Sequence, residues 1–189
     1  MLSEKPHIEL NIVTMDDVQQ YVDGRLPANR RDMIEETLIE DDRVREYIMV
    51  KADGPQEPTD ETIDLLGKAV TPCNDTIAKY QDMTLSESGE RITDFVKGRL
   101  WSRRRLLDQL LSLSRVSGPA NDQDDGAFSN NEPSKCVALA AMADLELMIQ
   151  LRRAFDAAKS PLWKAKIAGW ISDVDNDRLR ISWLASDLI

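Results

Sequence analysis

Apolar residues return at steps of three and four along most of this chain, and that period constrains the fold more than any other feature. Val18, Tyr21, Val22 and Leu26 form one such stripe; Met33, Ile34 and Leu38 a second; Val44, Tyr47 and Ile48 a third. Each places its side chains on one face of a helix. Thr14 followed by Asp17 reads as a capping box with Asp in place of Glu. Pro27 suits the first turn of a second helix, and "EDD" at 40–42 marks a break that puts carboxylates at a helix N-terminus. Thr59 caps a fourth helix bearing Ile63, Leu66 and Val70, which Pro72 stops. Asn74 or Asp75 starts a short helix with Ile77 and Tyr80. Ser86 caps one with Ile92, Phe95 and Val96, and it continues through "RLWSRRRLLDQLLSLSRV". Cys136, Ala140, Ala143, Leu147, Leu151, Ala154 and Ala158 predict a long helix over 135–158.

Two segments depart from this period. Ile8, Leu10 and Ile12 alternate, as in a short strand or strap. Leu179, Ile181 and Trp183 alternate with Arg178, Arg180 and Ser182 after the turn-like "SDVDND", which predicts a C-terminal β-hairpin. The expected class is mainly α: a small helical bundle with that hairpin. Residues 117–134, rich in Gly, Pro, Asn, Asp and Ser, read as a flexible, protease-accessible linker. The expected units are therefore 1–56, 57–116, the linker, and 135–189.

The chain carries a net charge of −10. That speaks against general nucleic-acid binding, which needs basic surface; it suits solubility, or a partner with a basic face. Cys73 and Cys136 share no metal-type spacing and read as buried reduced thiols, pointing to the cytoplasm. No run is long and apolar enough to span a membrane, and the N-terminus lacks a signal-peptide core.

Catalytic chemistry is sparse. The single histidine, His7, has nothing beside it to orient a nucleophile, and with two distant cysteines it makes a poor zinc site. "DVDND" at 173–177 opens like a calcium loop, but Arg178 and Leu184 stand where Gly and Glu belong; a hairpin turn is the expected reading. The carboxylate pairs at 35–36 and 41–42 fit solvated helix faces. Arg103, Arg104 and Arg105 form the one basic run; the expected reading is a solvated face, or pairing with the acidic N-terminal half. Trp170 and Trp183 form an exposed edge or cap the core, with core as the default.

One pattern occurs twice. Tyr21, Val22, Gly24, Arg25, Leu26, Arg30 and Arg31 match Phe95, Val96, Gly98, Arg99, Leu100, Arg104 and Arg105, while Lys97 replaces Asp23 and Trp101 replaces Pro27. Duplication of a helix hairpin and convergence of two amphipathic helix pairs both account for it.

The segment Met15–Ile48 resembles the N-terminal domain of bacterial anti-sigma factors of the zinc-associated type. Tyr21, Asp23, Gly24, Leu26, Pro27, Arg31 and Glu35 stand at that family's Y-x-D-G-x-L, Pro, Arg and Glu positions. The family's zinc-carrying His and Cys positions fall at Thr37, Asp41 and Val44, so the resemblance implies a zinc-less member, with no metal and no cofactor. It implies a non-enzymatic protein that binds a sigma factor and masks it from core polymerase, with release through proteolysis of the linker by a regulatory protease or through a change in the C-terminal region. By analogy, Ile63, Leu66 and Val70 are the partner contacts; a core role for them is the other reading. A helical adaptor or assembly subunit unrelated to transcription is the alternative function.

Overall fold

The computed structural model describes residues 13–52, 56–85, 90–114 and 133–186. The strand-like segment 8–12, His7 and most of the linker lie outside them. Among the described residues there are eight helices: α1 (Met15–Val22), α2 (Ala28–Glu40), α3 (Asp42–Lys51), α4 (Asp60–Lys68), α5 (Val70–Leu85), α6 (Glu90–Leu113), α7 (Pro133–Ala157) and α8 (Pro161–Ser186). The mainly helical expectation holds.

Local chemistry explains most of the boundaries. The Thr14 hydroxyl accepts from the Asp17 N–H and the Asp17 carboxylate accepts from the Thr14 N–H, a complete capping box. The Asp41 carboxylate caps α3 by accepting from the Arg43 N–H, and the Thr59 hydroxyl caps α4 by accepting from the Thr62 N–H. At the end of α1 the Gly24 N–H donates to the Tyr21 carbonyl and the Arg25 N–H to that of Gln20. Gly24 adopts φ +71°, so this is a Schellman stop with glycine in the left-handed position. Pro72 does part α4 from α5, but it sits in the first turn of α5, and no separate helix begins at Asn74 or Asp75. A proline there lacks only an N–H that a first turn leaves unpaired.

The C-terminal β-hairpin is not formed: 161–186 is one helix. Ile181 is fully buried, whereas Leu179 and Trp183 are 47% and 80% exposed. A strand would place all three on one face; successive positions two apart on a helix point to opposite sides. The stripe that is buried, Ile167, Ile171, Val174 and Ile181, runs at helical spacing with Asp177 in its gap.

The antiparallel pair α7 and α8 forms the spine. The N-terminal helices α2 and α3 pack on α8, and α4 and α5 pack on α7, with α6 against α5. One apolar cluster draws on all of these, from Val18, Ile34 and Ile48 through Leu66 and Leu110 to Leu151 and Ile171. A second, smaller cluster of Tyr80, Met83, Val96, Cys136, Val137, Ala140 and Ile181 fills the other end of the α5–α8 bundle.

The repeated sequence pattern takes two conformations. Its first copy spans the end of α1, the Gly24 turn and the start of α2. The second lies wholly inside α6. Pro27 cannot donate to the carbonyl four residues back and so forces a break, while Trp101 restores that N–H and the helix runs on. Consequently, Gly24→Ala is expected to cost about 1–2 kcal/mol, the penalty of a left-handed residue with a Cβ. Gly98→Ala, with open space around its Cβ position, is expected to add up to about 1 kcal/mol. Urea titrations of both variants check the opposite signs.

Candidate functional site

The helices bring together a buried charged layer, a cleft and an exposed apolar stripe. The layer is centred on Arg103, which is 1% exposed. Its Nε donates to Asp144 Oδ1 at 3.1 Å, and its Nη1 lies 3.1 Å from Asp177 Oδ2. The Tyr80 hydroxyl donates to Asp144 Oδ2 at 2.6 Å, and Arg99 Nη1 donates to Asp177 Oδ1 at 2.5 Å. The Cys73 thiol lies 3.5 Å from the Arg103 carbonyl oxygen. Two guanidinium groups thus meet two carboxylates, and the layer is formally neutral.

Burial governs its protonation. Loss of water raises Asp144 above the ordinary carboxylate range despite Arg103 and Tyr80. Burial likewise pushes Asp177 up to about 6, with the Asp144 and Asp173 carboxylates adding to it against Arg103 and Arg99. For Arg103 burial alone acts downward, but Asp144, Tyr80 and Asp177 outweigh it and hold the guanidinium charged. Tyr80 is raised by burial and by Asp144, and burial pushes the Cys73 thiol up to about 12. A thiol held neutral in this way is a poor nucleophile.

The basic run is therefore split. Arg103 pairs with C-terminal aspartates, not with the acidic N-terminal half; Arg104 and Arg105 are exposed, and Arg105 lies over the exposed Trp101 ring at 5.6 Å. The "DVDND" stretch lies in α8, where Asp177 serves the layer and Asp175 pairs with Arg178 at 2.8 Å. Among the described residues no group of three or more His, Cys, Asp or Glu is placed to hold a metal ion.

The cleft lies between the α1–α2 turn and the α7–α8 turn and has a volume of about 440 Å³. Lys164, only 7% exposed, crosses its floor. Its ammonium donates to Glu35 Oε2 at 2.8 Å and to the Phe155 carbonyl at 3.1 Å. The Tyr21 hydroxyl donates to Glu35 Oε1 at 3.2 Å. Burial and the adjacent Glu35 raise Tyr21 well above the ordinary phenol value. Arg31 and Lys159 complete the charged lining.

The stripe runs along α7. Met142, Leu145 and Ile149 are 68%, 46% and 41% exposed. With exposed Ala138 they follow steps of four, three and four, the spacing of a helix seam that accepts another helix.

The residues expected to touch a partner lie elsewhere. Leu66 and Val70 are 0% and 3% exposed and belong to the core, and Ile63 is half-buried. Ile63 and Leu66 do share α4, whereas Val70 opens α5; the period could not distinguish a core face from a docking face. The zinc-family positions also have other tasks. The Thr37 hydroxyl donates to the Met33 carbonyl at 2.8 Å, Asp41 caps α3, and Val44 is in the core. Asp42 pairs with Arg45, whose Nη1 donates to the carbonyls of Leu38 and Ile39 at the end of α2. Neither cysteine is in a disulfide, and both are buried. Trp170 packs on the core; Trp183 is exposed. No helix among the described residues is long and apolar enough to cross a membrane.

No protein-family model, curated protein or solved structure matches this chain.

Removing Arg103 takes one cation from a buried layer and leaves Asp144 with the Tyr80 hydroxyl and Asp177 with Arg99. Arg103→Ala is expected to cost about 3–5 kcal/mol, whereas Arg104→Ala, on the surface, stays within about 0.5 kcal/mol. Chemical denaturation of the two variants separates them. Asp177 adds a pH signature. Its folded-state value near 6 lies above the ordinary 3.8, so the folded chain holds a proton that the unfolded chain releases. Its contribution to stability falls as pH rises between those values and is level above them. Asp177→Asn lacks this change. The stability of the parent relative to this variant should decline from pH 4 to pH 6; a constant difference would refute the assignment.

Proposed function

We propose that this chain is a non-enzymatic regulator that binds a bacterial sigma factor in the cytoplasm and blocks its access to core RNA polymerase until it is released. The observation that carries the protein-binding part is the α7 stripe. Three large apolar side chains in register on a solvent-facing helix are costly to leave in water and fit an amphipathic partner helix. The class of partner rests on the resemblance of Met15–Ile48. In support of it, several motif residues have defined roles in the turn. Gly24 takes the left-handed stop, Tyr21 bonds Glu35, and the Arg31 guanidinium lies 3.4 Å from the Leu26 carbonyl. The ionisable groups that do meet, in the layer and on the cleft floor, are held in ion pairs, which supports a non-enzymatic role.

One observation favours the alternative, a helical adaptor in a larger complex. Helix α4 is packed against α7 and α6, so it does not stand free to clamp a partner as the resemblance implies. On either reading the contact surface moves from Ile63, Leu66 and Val70 to α7.

Co-expression with each sigma factor of the source cell, followed by size-exclusion chromatography, tests the reading. A stoichiometric complex that keeps the sigma factor from core polymerase is expected. Leu145→Glu should weaken it at least about tenfold, the effect of a charge in an apolar seam, with the thermal midpoint of the free chain unchanged. Elution alone against every sigma factor removes the sigma reading and favours the adaptor. A complex indifferent to Leu145→Glu removes the stripe as its contact.

A further inference from the structure

The cleft between the α1–α2 and α7–α8 turns carries a charge pattern opposite to that of the molecule. The chain as a whole is at −10. Lining the cleft are the cations Arg31, Lys159 and Lys164 and one carboxylate, Glu35. Lys164 and Glu35 neutralise each other through the 2.8 Å contact on the floor. Arg31 and Lys159 remain: both are exposed, neither has an ion-pair partner among the described residues, and Arg31 makes one long hydrogen bond, 3.4 Å, to the Leu26 carbonyl. The cleft thus presents two positive charges that no short ion pair neutralises. They come from different parts of the structure, Arg31 from α2 and Lys159 from the turn before α8. Like charges brought to one concavity repel each other, and an anion placed between them relieves that repulsion.

The size and walls restrict the anion further. A volume of about 440 Å³ is that of a small-molecule site. Val22, Ala158, Pro161 and the Tyr21 ring supply apolar wall, which suits an organic body next to the charged head. A guanidinium offers paired donors to a phosphate or carboxylate, and the lysine adds a mobile point charge.

We propose that this cleft binds a small organic dianion, its charged head held between Arg31 and Lys159 and its body against Tyr21 and Pro161. The Lys164–Glu35 pair positions the floor and does not contribute net charge. A ligand held in this way bridges α2 to the start of α8 and ties the N-terminal helices to the spine. The site stands whether or not the chain binds a sigma factor.

Isothermal titration calorimetry on the full chain tests it, with inorganic phosphate, phenyl phosphate and succinate as probes and sodium chloride at matched ionic strength as the control. At least one dianion is expected to bind, raising the thermal midpoint as it saturates. Lys159→Ala, a surface change, and Arg31→Ala, which also removes the long contact to the Leu26 carbonyl, should each weaken it about tenfold or more, the loss of one charge-assisted contact, with circular dichroism checking that both variants keep the helical signal. Arg104→Ala, the same charge change on α6, should leave it unchanged. Preference for phenyl phosphate identifies a phosphate ester as the ligand class, and preference for succinate a dicarboxylate. No heat beyond the salt control with any probe overturns the proposal. So does binding that survives both cleft substitutions, or that falls equally with Arg104→Ala.

Discussion

The bundle depends on the alignment of Arg103 with Asp144 and Asp177. These three residues are each 1% exposed or less, and each interrupts an apolar stripe on a different long helix. On α6 Arg103 lies between Val96 and Leu106; on α7 Asp144 lies between Ala140 and Leu147; on α8 Asp177 lies between Val174 and Ile181. In every case one neighbour belongs to the larger apolar cluster and the other to the smaller. The charged layer is what separates the two clusters. Placing these charges out of water is expensive, and their attraction only partly offsets the expense. The hydrogen bonding is also incomplete. Arg103 Nη2 and Asp177 Oδ2 have ionic partners within 3.1 Å but no aligned hydrogen bond. Such a layer contributes little net stability. What it does is penalise every other alignment, because a slip of one turn sets Arg103 against leucine or alanine and strands both carboxylates.

The legible parts of the fold were those written in local chemistry. Thr14 with Asp17, Asp41 and Thr59 each act within a few residues, and each lies where the sequence places it; the Gly24 stop instead ends α1 before Leu26, which the expected stripe included. The misread parts required knowledge of what lies opposite. On α7, Ala143 completes an apolar period on paper, yet the buried position is Asp144. No spacing rule selects an aspartate for a core when its partner is forty-one residues away. On α8 the alternation of Leu179, Ile181 and Trp183 resembles a strand only because two of the three are solvent-exposed on a helix. The carboxylates of 173–177 suit a turn, although helical salt bridges and the buried layer use them equally well. A signal was present in the gap between Val174 and Ile181, where Asp177 takes the inward position. Nothing in the sequence draws Arg31 and Lys159 together, since they stand 128 positions apart and meet through the packing of α2 on α8.

The two halves of the molecule are attached to the spine by different means. The α5–α8 bundle is keyed by charge in its interior. The N-terminal helices are held at the surface of α8, with apolar residues such as Ile34 and Ile48 in the shared core. Polar pins at their margin add direction. Lys164 reaches back from α8 to Glu35 on α2, and the Arg45 side chain packs alongside Gly169 of α8. The Trp163 indole N–H donates to the Gln56 carbonyl at 2.7 Å and fixes the exit from this half.

Helix α7 is the element on which both proposed binding surfaces converge. Its inward face supplies Asp144 to the layer and Leu147 and Leu151 to the core; its outward face carries Met142, Leu145 and Ile149; its C-terminal end runs into Lys159 and the cleft. A helix of this length contacts α4, α5 and α8 along one side. Moving it to suit a partner would break the Asp144 contacts to Arg103 and Tyr80. A protein docking on the outward face therefore meets a surface whose axial position is set by the buried charges behind it. Recognition there must come from the match of the partner to a fixed seam, because adjustment of α7 itself carries the cost of unpairing a buried carboxylate.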